Sequence, residues 1–211
     1  MRLLLVRHAE SLGNREGRLQ GRREFPLTER GRHQAESLAA RAAALSVAAL
    51  YASPIRRAMG TAEPIAARAA LEVKVEPRLQ EYDFGEELSG LAWQEIREKR
   101  PELVQALLGD QAEFPSYPGE EGREEFRQRV CDAMWEIAQT YEREEVVMVV
   151  THAGPIALFL LEVLGRPYRR PIPFTIDNAS ITTIESNPKA PPGFPRVVLV
   201  GLNDTGHLRT D

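Results

Sequence analysis

Residues 146–160 read VVMVVTHAGPIALFL. Val146 to Val150 is a continuous apolar run, mostly β-branched, without the alternation of a half-exposed strand. It predicts a strand buried on both faces, as in a parallel sheet covered by helices. The run stops at Thr151-His152. Gly154-Pro155 then opens a strongly apolar helix through Ile156, Leu158, Phe159, Leu161 and Leu164, with Gly165 placed to end it. The same pattern stands at the other end of the chain, where Leu3 to Val6 is an apolar run that ends at Arg7-His8.

Outward from these two strands, Val47 to Tyr51 and Leu71 to Val75 are weaker strand candidates, and Ile181 to Ile184 and Arg196 to Val200 are two more. Residues 187–195 carry four prolines and a glycine and predict a loop. Ser53 is placed to cap a helix with Pro54 in its first turn, running through Arg57 and Thr61. Thr28 caps another, with Ala35, Leu38, Ala39, Ala42 and Leu45 on one face and Arg32, Glu36 and Arg41 on the other. Phe126, Val130, Ala133, Met134, Ile137 and Tyr141 form a third stripe, flanked by Cys131 and Trp135; nothing near Cys131 suggests a lowered thiol pKa, so it reads as packing. Residues 85–122 contain short helical stretches and no long element. The fold class is α/β, a single domain over residues 1–211 with an insertion or lid at about residues 85–122.

The composition bounds the function. With 211 residues the chain can bury roughly 70% of its unfolded surface and needs no staple. One cysteine excludes an intramolecular disulfide. The 27 basic against 31 acidic residues leave a net charge of −4, which gives no general reason to expect nucleic acid or an anionic membrane as partner. No apolar run approaches the ~20 residues of a membrane span, and Arg7, His8 and Glu10 interrupt the N-terminus too early for a secretory signal. The expectation is a cytoplasmic protein, with homodimerisation left open. All but three of the 27 cations are arginine, so any one arginine is most simply surface charge.

In an open parallel sheet the ligand crevice lies beyond the carboxyl ends of the strands, where βα loops converge and helix N-termini point outward. Arg7-His8, Arg56-Arg57 and His152 all fall just beyond such ends. Arginine forks with helix N-termini favour an anion, phosphate above all. Either histidine alone reads equally well as a structural residue; two of them, beside arginines at equivalent strand ends, favour chemistry. Residues 15–32 hold six arginines against three glutamates, which suits an anionic substrate as well as it suits general arginine usage.

The segments RHAES, LQGRREFPLTERGRHQA, SPIRRAMGTA, LQEYDFGE and VVTHAG resemble, in order and spacing, the histidine phosphatase superfamily, which includes the cofactor-dependent phosphoglycerate mutases. The resemblance spans almost the whole chain, including residues 178–180 and 203–208. It implies a three-layer sandwich with a mostly parallel central sheet and helices on both faces. It also implies that His8 attacks phosphorus, that Arg7, Arg57 and His152 bind the phosphoryl oxygens, and that Glu81 donates a proton to the leaving oxygen. Asn14 matches a further phosphate contact; Gln20 and Gly21 lie where the family touches substrate, and Ala153, beside His152, is expected to join them in binding substrate. Arg56, His33 and His207 receive no role. The sequence departs from the family's pattern at Ala9 and Ala153, where glycine is common, at Glu24 and Phe25, and across residues 86–90.

These residue types suit phosphoryl transfer, which asks the protein mainly for positioning and charge neutralisation. Two arginines and a histidine supply that without a metal, and no cofactor is implied. A neutral imidazole is a competent nucleophile, and a carboxyl group held protonated can assist an alkoxide leaving group by roughly 10²- to 10⁴-fold. The expected activity is metal-independent hydrolysis of a small phosphorylated metabolite through phosphohistidine. One alternative is a phosphoglycerate mutase, but Tyr82 follows Glu81 where the mutase branch has arginine, and the chain is short. Another is a phosphate-binding module without catalysis, but nucleophile, arginines and acid are all present. A metallohydrolase using His8, His152 and Glu81 conflicts with the surrounding cations.

Overall fold

The computed structural model describes residues 1–108, 116–142, 144–167, 172–187, 190–191 and 197–208, with side chains up to Gln105 in the first stretch. Six strands form one sheet: β1 (Arg2–Arg7), β2 (Val47–Ala52), β3 (Val73–Val75), β4 (Val146–Thr151), β5 (Ile181–Ser186) and β6 (Val197–Asp204), in the order β3-β2-β4-β1-β5-β6. The first four run parallel, while β5 and β6 are antiparallel to their neighbours. The helices are α1 (Leu12–Arg15), α2 (Glu29–Ala43), α3 (Arg56–Ala69), α4 (Gly85–Leu88), α5 (Trp93–Lys99), α6 (Pro101–Leu108), α7 (Arg123–Thr140) and α8 (Ala153–Val163).

Apolar runs without alternation bury both faces of the central strands. Leu3, Leu5, Val147 and Val149 pack with Phe126, Val130, Met134 and Ile137 of α7 and Ile156 and Phe159 of α8. Leu4, Val6, Met148 and Val150 face the other way, against Leu38, Ala39 and Ala42 of α2 and Ala58, Ala62 and Ile65 of α3. The result is the expected three layers. Each of the larger buried side chains contributes about 1.5–3 kcal/mol relative to exposure, so neither helical layer can be stripped without loss of the fold. Cys131 is buried beside this core, and burial pushes its thiol up to about 12, in keeping with packing rather than reactivity.

Local signals set most element ends. The Thr28 hydroxyl accepts the Gly31 N–H at 2.9 Å and caps α2. Gly31 is required there by space: a Cβ would stand 2.0 Å from the Glu10 carbonyl, so its absence lets α2 abut the loop that follows His8. Gly165, at φ +63°, ends α8 with its N–H on the Glu162 carbonyl and that of Arg166 on the Leu161 carbonyl, the two bonds of a Schellman motif.

The expected Ser53 cap is corrected. Helix α3 begins at Arg56 with Ile55 as N-cap and no side-chain cap; the Ser53 hydroxyl accepts the Ile55 N–H at 3.4 Å, short of the helix, and its closer partner is His152 Nε2 at 2.8 Å. Strand β6 begins at Val197; Arg196 and most of the proline-rich loop lie outside the described residues. Among the described residues of the 85–122 segment there are only short helices. They share a small core of Leu88, Ile96, Leu103, Val104 and Tyr117, and backbone bonds from Leu19 to Leu91 (2.8 Å) and Gly90 to Leu19 (2.6 Å) tie them to the N-terminal loop. No helix among the described residues is long and apolar enough to cross a membrane.

Candidate active site

Because β4 is inserted between β2 and β1, the carboxyl ends of these three strands lie side by side. The His8 N–H donates to the Thr151 carbonyl (2.8 Å) and the Ser53 N–H to the Val150 carbonyl (3.0 Å), so the chain leaves all three strands at one level. Above them opens a cavity of about 330 Å³ whose wall includes Arg7, His8, Asn14, Gln20, Gly21, Arg57, Glu81 and Ala153. Eight of the nine residues singled out from the sequence thus share one space. The ninth, His152, is not on the wall. It is fully buried behind His8, with ring centroids 5.2 Å apart in an edge-on arrangement, and its Nδ1 has no hydrogen-bond partner.

His8 is buried and held at both ring nitrogens. Nδ1 lies 2.8 Å from the Ala9 carbonyl and takes the proton in that contact, while Nε2 accepts from Arg57 Nε at 3.1 Å. The lone pair therefore belongs to Nε2, on the side of the arginine fork. Burial, then the charges of Arg57 and Arg7, hold the imidazole well below its usual range, so it is neutral near neutral pH. The same forces hold His152 neutral.

Arg57 is 1% exposed and sits at the start of α3. Its Nη1 and Nη2 donate to the carbonyls of Arg23 (3.0 Å) and Gly21 (2.7 Å) in the N-terminal loop. Burial draws its pKa down to about 10, with Glu81 and Glu24 pulling the other way, so it remains a cation. Arg7 donates Nη1 to the Ile176 carbonyl (2.6 Å) and keeps a buried Nε without a partner. Asn14 Oδ1 is occupied by Ser11 and by Asn178 Nδ2 (3.1 Å), which leaves its amide N–H groups as the end able to meet an anion.

Glu81 receives its own neighbour's N–H, from Tyr82 at 2.9 Å, and the Gly154 N–H at the start of α8 at 3.1 Å. Burial raises its pKa more than the Gly154 N–H and the charges of Arg57, Arg7 and Arg129 lower it. Gly154 matters sterically: a Cβ would lie 2.0 Å from Glu81 Oε1.

The two departures at alanine resolve simply. Neither Ala9 nor Ala153 has a positive φ, so neither position demands glycine. The Ala9 N–H donates to Thr61 Oγ1 at 2.9 Å and so is not free to meet a phosphate. Arg56 and His33 are exposed, as expected of residues without a role. The sequence reading missed the outer wall, which includes Arg18, Tyr82, Phe84, Trp93, Arg123 and Phe174. Trp93, 41% exposed on α5, was the available signal: a large aromatic in the insertion with no periodic stripe to explain it. Among the described residues no three His, Cys, Asp or Glu side chains cluster to hold a metal ion.

The chain matches the family model of the histidine phosphatase superfamily (branch 1) over residues 3–193. It is 34% identical over 208 residues to phosphoserine phosphatase 1 of Hydrogenobacter thermophilus, covering 99% of this chain and 94% of that one. It is 36% identical over 163 residues to the metal-independent phosphoserine phosphatase of Arabidopsis thaliana, covering 76% and 68% of the two chains. Among solved structures, Bacillus stearothermophilus YhfR superposes with a TM-score of 0.87 at 28% identity, covering 99% of each chain.

Proposed function

Since the chain belongs to the histidine phosphatase superfamily, branch 1, we propose that it hydrolyses small phosphate monoesters through a phosphohistidine on His8. It is a phosphatase; what is proposed is the intermediate, the role of each residue and the substrate. The observation that carries the reading is one cavity holding an unprotonated Nε2, two fixed arginines and a carboxyl group whose pKa is raised by burial.

In the first step Nε2 of His8 forms a bond to phosphorus as the ester P–O bond breaks. Arg57 turns from Nε2 to the phosphoryl oxygens, joined by Arg7 and the Asn14 amide, and the proton of Glu81 passes to the departing alkoxide. In the second step water attacks the phosphohistidine, the Glu81 carboxylate takes its proton, and the P–N bond breaks to release inorganic phosphate and neutral His8. Charge on the transferring group is met by cations of the protein, so no metal is called for. Exhaustive chelation should leave activity on 4-nitrophenyl phosphate unchanged.

Phosphoserine is the first substrate to test, because relatives that match nearly all of this chain carry that name. Gln20, Gly21 and the aromatic outer wall are the surfaces that would meet the alcohol portion. The enzyme is proposed to work in the cytoplasm, where such metabolites are found and where its single buried thiol is at home. A kinetic screen with O-phosphoserine and 3-phosphoglycerate, the latter followed for both hydrolysis and isomerisation, tests the reading. Release of inorganic phosphate without isomerisation supports it, and isomerisation as the main reaction would replace it with a mutase.

A further inference from the structure

Residues 80–84, which carry Glu81, have no regular secondary structure, so their carbonyls need partners from elsewhere. Arg129 of α7 supplies those of Gln80 and Glu81, and all five of its N–H donors are taken. Nη1 donates to the carbonyls of Arg78 (2.7 Å) and Gln80 (2.8 Å), and Nη2 to those of Glu81 (3.0 Å) and to Glu121 Oε2 (2.8 Å). Nε donates to Glu121 Oε1. Glu121 is equally committed. Its carboxylate also accepts from Arg22 Nη2 (2.7 Å) and the Asp83 N–H (3.2 Å), while its own N–H reaches the Asp83 carbonyl at 3.0 Å.

Apart from the Arg129 charge that helps to lower the Glu81 pKa, this pair takes no part in the chemistry described above, and neither residue lies on the cavity wall. Both are nearly buried, with side-chain exposures of 16% and 10%. A nearly buried arginine that holds three carbonyls of one short segment, with a carboxylate locking the rest of its fork, fixes that segment in three dimensions. The third link, Arg22, belongs to the loop that bears Gln20 and Gly21, so the same carboxylate also joins the acid's segment to the substrate-facing loop.

We propose that Arg129, locked by Glu121, is the positioning residue that sets where the Glu81 carboxyl stands relative to the leaving oxygen. The inference rests on Glu81 being the general acid. A misplacement of about 1 Å can cost a catalytic group on the order of 10²-fold, which is the sensitivity such a clamp would serve. Lysine cannot replace it, since a single ammonium lacks the planar fork that reaches three carbonyls and a carboxylate together.

The test compares an unactivated alkyl phosphate, which needs a proton on its leaving group, with 4-nitrophenyl phosphate, which does not. Arg129→Lys should lower kcat on the alkyl ester by about 10- to 100-fold and on the aryl ester by less than about threefold. In a Glu81→Gln background the same substitution should cost the alkyl ester less than about twofold, because the group it positions is already gone. Equal losses on both esters, or a full further loss in the Glu81→Gln background, would show a merely structural residue and overturn the proposal. Should Arg129→Lys fail to fold, Glu121→Gln loosens the same fork and carries the same two expectations. Glu81→Gln alone separates the layers of the argument. If its own loss is not selective for the alkyl ester, the acid assignment falls and the proposal with it; if it is selective while the Arg129 loss is not, only the positioning role falls.

Discussion

Arg57 carries three separate duties in one buried guanidinium: it touches the His8 Nε2, grips the N-terminal loop through two carbonyls, and holds its charge despite burial. Removing it takes away one preorganised charge-stabilising donor, so Arg57→Ala should cost on the order of 10²- to 10³-fold in kcat, measured on folded protein by steady-state phosphate release. Arg57→Lys should not rescue the loss, because the fork rather than the charge alone spans ring and carbonyls. Glu81 makes a different prediction. Its carboxyl must be protonated for the first step, and burial raises its pKa above the usual 4.5, so the falling limb of kcat/KM for an alkyl ester lies above that value. A bound dianion raises the Glu81 pKa further in the complex, so the corresponding limb of kcat lies higher still. Glu81→Gln should abolish that limb and cost about 10²- to 10⁴-fold on the alkyl ester, with a much smaller loss on 4-nitrophenyl phosphate; an unchanged limb in the variant would remove the acid role.

At the scale of elements, the start of α8 is the point where fold and chemistry meet. His152 is its N-cap, Ala153 lies on the cavity wall, and the Gly154 N–H holds Glu81. Gly154→Ala would place a methyl group on the Glu81 carboxylate, and turnover of an alkyl ester should fall by on the order of 10- to 100-fold. Since alanine suits a first helical turn, the melting temperature should change little; a large loss of stability with intact turnover per folded molecule would contradict this. The strands and these helices were legible in the sequence because apolar runs and stripes report burial directly, as Val146 to Val150 and Phe126 to Tyr141 do. Ser53 was misread for a physical reason: a hydroxyl before a helix looks like a cap whichever partner it finds, and here that partner is a histidine 99 residues away. Arg129 and Glu121 were illegible on the same grounds, since one arginine among so many carries no mark of its long-range contacts. The depth of His152, behind its partner rather than on the wall, likewise depends on how three strands stack.

Over the whole molecule, burying two neutral imidazoles links stability to pH. His8 and His152 have folded pKa values well below the 6.5 of an unfolded imidazole, so the unfolded chain binds more protons as pH falls through that value. The free energy of unfolding should therefore decline as pH drops below about 6.5, the unfolded imidazole value. Glu81 acts oppositely: its raised folded pKa adds stability at low pH that is lost as pH rises above the usual 4.5. Urea titrations from pH 7.5 to 5.5 should show the decline, and it should be smaller in His152→Asn; an equal slope in that variant would mean the ring is not buried neutral.

The account as a whole turns on a covalent adduct at one ring nitrogen. Rapid-quench mass spectrometry during steady turnover, worked up without acid, should find a phosphoryl group on the peptide that contains His8 and none in His8→Ala. An adduct on another peptide, with the His8 peptide unmodified throughout turnover, would contradict it.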